Sequence, residues 1–153
     1  MKDSIIDSVL VADDDPLLVL LFAQILKDLG VKEISTACDG KKAVELYKKY
    51  RPDLVILDLE MPVKNGYEAA KEIKLFNPDA KIVMLTGNPT HQDIENALHE
   101  GVITSLFIKP ISIDIIDKIL LRKSFKKGTS KRHKEIDTML DSIIVSRDLI
   151  SAA

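Results

Sequence analysis

Short β-branched apolar runs alternate along this chain with longer segments in which apolar positions recur every three to four residues. The runs at 8–12, 33–37, 53–57, 81–86 and 105–108 are the predicted strands. Three of them contain unbroken apolar stretches: Val9-Leu10-Val11-Ala12, Leu54-Val55-Ile56-Leu57 and Ile82-Val83-Met84-Leu85. A strand needs continuous apolarity when helices cover both faces of its sheet, so these three are placed at the centre of a parallel sheet.

The segments between the runs carry helix boundary signals. Asp15 before Pro16 puts a capping carboxylate ahead of a first-turn proline, and Gly30 closes that helix. Asp39 caps a second helix, which reaches Tyr50 before Arg51-Pro52 stops it. A third runs from Gly66 to Phe76, ahead of Asn77-Pro78. Thr90 with Asp93 reads as a capping box for a fourth, closed by Gly101. Ser112 caps a fifth, with Ile113, Ile116, Ile119 and Leu120 on one stripe.

Five βα units in about 125 residues imply an α/β fold with an open, doubly wound parallel sheet, since a closed eight-unit barrel needs roughly twice that length. After residue 125 the pattern changes. Residues 126–134 contain no acid and no apolar side chain and read as a basic linker. Ile136, Met139, Leu140, Ile143 and Ile144 then return at helical spacing, which predicts a C-terminal amphipathic helix in 135–153. The expected organisation is thus one domain in 1–125, a linker and a helical extension.

Composition narrows the class. The 153 residues are 46% hydrophobic and 30% charged, enough for a packed core, and the formal charge is −2. A generic nucleic-acid binder and a strongly basic membrane-surface protein are excluded. Five of the 22 basic residues lie in the linker, so the remainder is markedly acidic. The basic linker leaves too little sequence after it for a helix-turn-helix, and no direct DNA binding is expected. The apolar stretch 17–23 is far shorter than the roughly 20 residues of a bilayer span. Acids near the start interrupt any signal-like apolar run, and a single cysteine, Cys38, excludes an internal disulfide; a reducing cytoplasm is the expected location. Cys38 itself is expected as a small buried filler, and His91, His99 and His133, lacking ligand spacing or carboxylate partners, as surface residues.

Ligands of open α/β sheets bind beyond the carboxyl ends of the strands. Those ends deliver Asp13-Asp14-Asp15, Asp58, Thr86 and Lys109-Pro110. Carboxylates so concentrated repel one another unless a cation holds them, and Mg²⁺ accepts such oxygen ligands. Lys109 and Thr86 supply a positive charge and a hydroxyl donor suited to phosphoryl oxygens. Asp58, ending the most apolar strand, is the natural nucleophile, able to form an acyl phosphate. Asp15 is assigned the helix cap alone.

Over residues 8–125 the chain resembles the receiver domain of two-component response regulators. The match is carried by Val9-Leu10-Val11-Ala12-Asp13-Asp14-Asp15-Pro16, by Asp53 through Pro62 with Asn65-Gly66, by Met84-Leu85-Thr86-Gly87 and by Phe107-Ile108-Lys109-Pro110. The resemblance implies a flavodoxin-like sheet of order 2-1-3-4-5 with five flanking helices. It implies that Asp13 and Asp14 hold Mg²⁺ with Asp58 and the main-chain carbonyl of Glu60, and that Asp58 is the phosphoacceptor. Thr86 would hydrogen-bond the phosphoryl group and move toward it, Lys109 would pair with a phosphoryl oxygen, and Phe107 would be the aromatic switch. The resemblance implies a stand-alone receiver that would catalyse only its own phosphorylation and dephosphorylation. Its expected partners are a sensor histidine kinase or a histidine phosphotransfer protein, with a homodimer through helix four, strand five and helix five as one output.

The alternatives are a Mg²⁺-dependent phosphatase of the haloacid-dehalogenase type and a non-phosphorylated receiver-like scaffold. The phosphatase needs two acids spaced two residues apart after strand one and a cap domain; here the acids are consecutive and no length remains for a cap. Intact Asp58, Thr86 and Lys109 count against the scaffold. In helix one, Leu17 through Phe22 leave no polar face. Burial beneath the C-terminal helix is the expected reason, and a docking surface for a histidine-bearing helix bundle is the alternative.

Overall fold

In the computed structural model, which describes residues 6–88 and 90–120, the elements follow the order β1 Ser8–Ala12, α1 Pro16–Asp28, β2 Glu33–Ala37, α2 Gly40–Tyr50, β3 Leu54–Asp58, α3 Gly66–Phe76, β4 Ile82–Thr86, α4 Gln92–His99, β5 Ser105–Ile108 and α5 Ile113–Ile119. The linker and C-terminal helix expected in 126–153 lie outside the described residues. The chain divides into two compact units after Phe107.

The five strands form one sheet in the order β2-β1-β3-β4-β5. Parallel pairing sets Ala12 beside both Ala37 and Leu57, and Asp58 beside Leu85. β3 and β4 are buried along their whole length, as their unbroken apolar sequences require, while the edge strand β2 is largely exposed or half-buried. Leu10, Val55, Leu57, Ile82 and Met84 on one face form a single cluster with Val44 and Tyr47 of α2, Ala70 and Ile73 of α3, and Ile94 and Ala97 of α4. α1 packs on β1 and β2, and its buried residues stand outside that cluster, so it covers the opposite face.

Local chemistry explains the boundaries. Asp15 accepts from the amides of Leu17 at 3.0 Å and Leu18 at 3.4 Å, and Asp39 from that of Lys42 at 2.7 Å. Gly30, at φ 95°, takes the left-handed conformation that ends α1. Ser112 caps α5 through the Ile115 amide at 3.3 Å, and Ile113, Ile116 and Ile119 form its buried stripe.

Several expectations are corrected. Asp53 and Lys81 lie just outside their strands. The Asp53 carboxylate instead accepts from the amides of Asp7 and Ser8, at 3.0 and 3.1 Å, joining the entrances of β1 and β3. The cap of α4 is His91, whose Nδ1 accepts from the Asp93 amide at 3.1 Å, while Thr90 donates to Asn88. His91 therefore has a structural role and a carboxylate neighbour, Asp93, at 3.8 Å. Cys38 is exposed, because it leaves the edge strand toward α2. In α1, Leu18, Val19, Leu21 and Phe22 enter the core, whereas Leu17 is 58% and Leu20 69% exposed; the C-terminal helix expected to cover this face lies outside the described residues.

Candidate functional site

Sheet register assembles the acidic edge. Ala12 and Leu57 are paired, so the residues that follow them, Asp13 and Asp58, leave adjacent strands side by side. Asp58 is itself paired with Leu85, which sets Thr86 at the same edge on the next strand. Carboxylate oxygens of Asp13, Asp14 and Asp58 all lie within 4.8 Å of one another.

Burial singles out the same place. Apart from aromatic residues, the polar side chains buried among the described residues are Asp13, Asp58 and Thr86, at 5%, 7% and 1% exposure. A buried ionised group destabilises the fold unless something compensates it. Two buried carboxylates and a buried hydroxyl converging on one edge are an arrangement that packing alone does not favour. The donor set, three carboxylates with an open side at exposed Asp14, fits a hard divalent cation that keeps some of its water.

The surrounding backbone holds these groups in place. Asp13 Oδ1 accepts from the Asp15 amide at 3.0 Å and the Asp13 amide donates to the Ala37 carbonyl at 3.1 Å, so this carboxylate is oriented before anything binds. Thr86 Oγ1 accepts from the Asn88 amide at 3.0 Å, which leaves the hydroxyl proton to donate elsewhere. Beyond Asp58 the chain turns sharply. The Lys64 amide donates to the Pro62 carbonyl at 2.7 Å across Val63, whose φ is 67°. The loop is then secured on two sides, by the Gly66 amide on the Leu59 carbonyl at 2.8 Å and the Gly40 amide on the Lys64 carbonyl at 3.0 Å. At Gly40 and at Gly66, added Cβ atoms would collide with the carbonyl oxygens of Lys64 and Asp58 respectively. Glycine is needed here for space.

Of the residues expected to act, the structure brings Asp13, Asp14 and Asp58 together and sets Thr86 at their edge. Glu60 follows in the loop with its side chain exposed. Phe107 is half-buried on β5, and Lys109 follows that strand directly, half-buried and joined to Pro110 by a cis peptide bond. Side-chain contacts between α3 and α4 were not foreseen. Asn65 Nδ2 donates to Asp93 Oδ2 at 2.9 Å, and the Tyr67 hydroxyl donates to Glu100 Oε2 at 2.6 Å. The Asn65-Gly66 pair was their only sequence signal.

Comparison with known proteins gives a consistent answer. A family model described as the response regulator receiver domain matches residues 9–121. The chain is 37% identical over 115 residues to the chemotaxis protein CheY of Halobacterium salinarum, covering 73% of this chain and 95% of that protein. It is 35% identical over 146 residues to the transcriptional regulatory protein PdtaR of Mycobacterium tuberculosis, covering 95% of this chain and 70% of that protein. Among solved structures it resembles the response regulator protein TrrA of Thermotoga maritima in complex with Mg²⁺ and BeF, with TM-score 0.64 and 33% identity over 73% of this chain and 94% of that one. It also resembles the CheX–CheY complex with BeF₃ and Mg²⁺ from Borrelia burgdorferi, with TM-score 0.69 and 28% identity over 78% and 90% of the two chains. The sheet order, the acidic edge and the extent of these matches lead to one conclusion: the chain belongs to the response regulator receiver domain family.

Proposed function

We propose that this receiver accepts a phosphoryl group on Asp58 from the phosphohistidine of a sensor kinase or a phosphotransfer protein. The observation that carries the reading is the convergence of Asp13, Asp58 and Thr86, the buried polar side chains of the described core, at one sheet edge. A carboxylate oxygen of Asp58 forms the new bond to phosphorus as the P–N bond to the donor imidazole breaks, and the imidazole leaves with the electron pair. Mg²⁺, held by Asp13, Asp14, Asp58 and the Glu60 carbonyl, would neutralise charge on the phosphoryl oxygens when bound. The Thr86 hydroxyl donates to a phosphoryl oxygen and the Lys109 ammonium pairs with another. Water later attacks phosphorus, and the acyl phosphate returns to a carboxylate and inorganic phosphate.

The output follows from Thr86 and Phe107. Drawing Thr86 toward the phosphoryl group and turning Phe107 inward would shift α4, β5 and α5 to a second packing and change a partner or dimer surface. The test is incubation of the full chain with acetyl phosphate and Mg²⁺, followed by intact mass. One added phosphoryl group, absent without Mg²⁺ and absent in Asp58→Asn, is expected. An unmodified chain would overturn the reading, and turnover of many phosphate esters would favour the phosphatase.

A further inference from the structure

α4 has little apolar anchorage. Of its eight residues, Ile94 and Ala97 are buried, whereas α3 buries Tyr67, Ala69, Ala70 and Ile73. Much of what holds α4 is therefore polar, and it comes from the start of α3. Asn65 reaches Asp93 in the first turn of α4, and Tyr67 reaches Glu100 at its C-cap. The donors are themselves fixed: Asn65 Oδ1 accepts from the Glu68 amide at 2.9 Å as the cap of α3, and Tyr67 is buried. Both acceptors are carboxylates, which strengthens the bonds.

The placement of this clasp matters as much as its strength. Asn65 and Tyr67 flank Gly66, which packs on the main chain of Asp58. At the far end Asp93 also donates its amide to His91, the cap of α4, and the short connection from Thr86 leads into that cap. Both ends of α4 are thus tied to the segment that leaves the phosphoacceptor.

We infer that Asn65 and Tyr67 are positioning residues that hold α4 in its present packing and thereby set how readily Asp58 is phosphorylated. The inference rests on the phosphoacceptor reading of Asp58. On the output proposed above, the packing that reacts has a displaced α4, so any contact specific to the present packing lowers the population that can be phosphorylated, and its removal raises it.

The test uses the full chain with Mg²⁺ and acetyl phosphate. Asn65→Asp keeps the capping oxygen but sets a carboxylate against Asp93, and Tyr67→Phe removes the hydroxyl alone. Each should raise amide hydrogen exchange in Gln92–His99 about tenfold while β1 and β3 stay protected. Each should also speed phosphorylation on the order of fivefold, as the reactive packing becomes more populated. Asp93→Asn, which keeps an acceptor for Asn65 but not its charge, should show a smaller effect of the same sign than Asp93→Ala, which should match Asn65→Asp and replaces it if that variant does not fold. Unchanged or slower phosphorylation in the clasp variants, with the unaltered chain phosphorylated normally, overturns this inference alone. An unaltered chain that takes no phosphoryl group overturns the reading of Asp58 and this inference with it.

Discussion

Gly66 lies against the main-chain carbonyl of Asp58 so closely that a methyl group on its α-carbon would overlap that oxygen. Both partners are backbone, so neither can yield by changing a rotamer. Gly66→Ala should therefore displace the start of α3 or the end of β3. A stability loss of about 1–3 kcal/mol is expected, together with slower phosphorylation of Asp58. Urea denaturation and a phosphodonor time course measure the two effects; unchanged values in both would show that α3 is not seated on the strand.

The exposed and buried halves of α1 separate docking from folding. Leu17→Ser and Leu20→Ser should change stability by no more than about 0.5 kcal/mol, because both side chains already face solvent. Phe22→Ser, at a position 2% exposed, should cost about 3–5 kcal/mol. If α1 receives the phosphohistidine donor, the Leu17→Ser, Leu20→Ser double variant slows transfer from a protein donor but not from acetyl phosphate. Equal rates with the protein donor would end that assignment.

Tyr67 should ionise late. Its hydrogen bond to Glu100, aided by burial and by the charges of Glu100 and Asp93, pushes the phenol up from 10.0 to about 12. Because the folded value lies above the unfolded one, the stabilisation is complete below pH 10 and disappears as pH rises toward 12. Spectrophotometric titration should show a phenolate that appears only near pH 12, and Glu100→Gln should bring it back toward 10.0. A titration unaffected by that substitution would refute the pairing.

Val63 offers a gain. A β-branched residue at φ 67° is strained by about 1–2 kcal/mol, and with 77% of its surface exposed the side chain has little packing to lose. Val63→Asn should raise unfolding free energy by about 1 kcal/mol, read from a higher urea midpoint at constant slope. A lower midpoint would show that the valine makes a contact worth more than its strain.

The order of elements was legible because each central strand is apolar throughout and each helix begins at a residue able to cap it. The acidic edge was legible for a related reason: strand ends carry the site, and Asp13, Asp58 and Thr86 each stand at or just past one. Signals that depend on lateral geometry were not legible. Asn65 meets Asp93, and Tyr67 meets Glu100, across intervals of 28 and 33 residues set by how two helices pack. His91 displaced Thr90 as a cap because an imidazole nitrogen can also accept an amide, an option that hydroxyl-based capping rules pass over. Leu17 and Leu20 look the same in sequence as Leu18 and Leu21, and only the rotation of α1 against the sheet separates them.

With Asp58 as the phosphoacceptor proposed above, the buried trio of Asp13, Asp58 and Thr86 also sets stability and signalling against each other. Apolar residues of similar size at these positions would suit their surroundings better than two carboxylates and a hydroxyl do. Laboratory evolution of this protein for heat resistance alone would therefore enrich silent receivers, folded more firmly than their parent and unable to take a phosphoryl group.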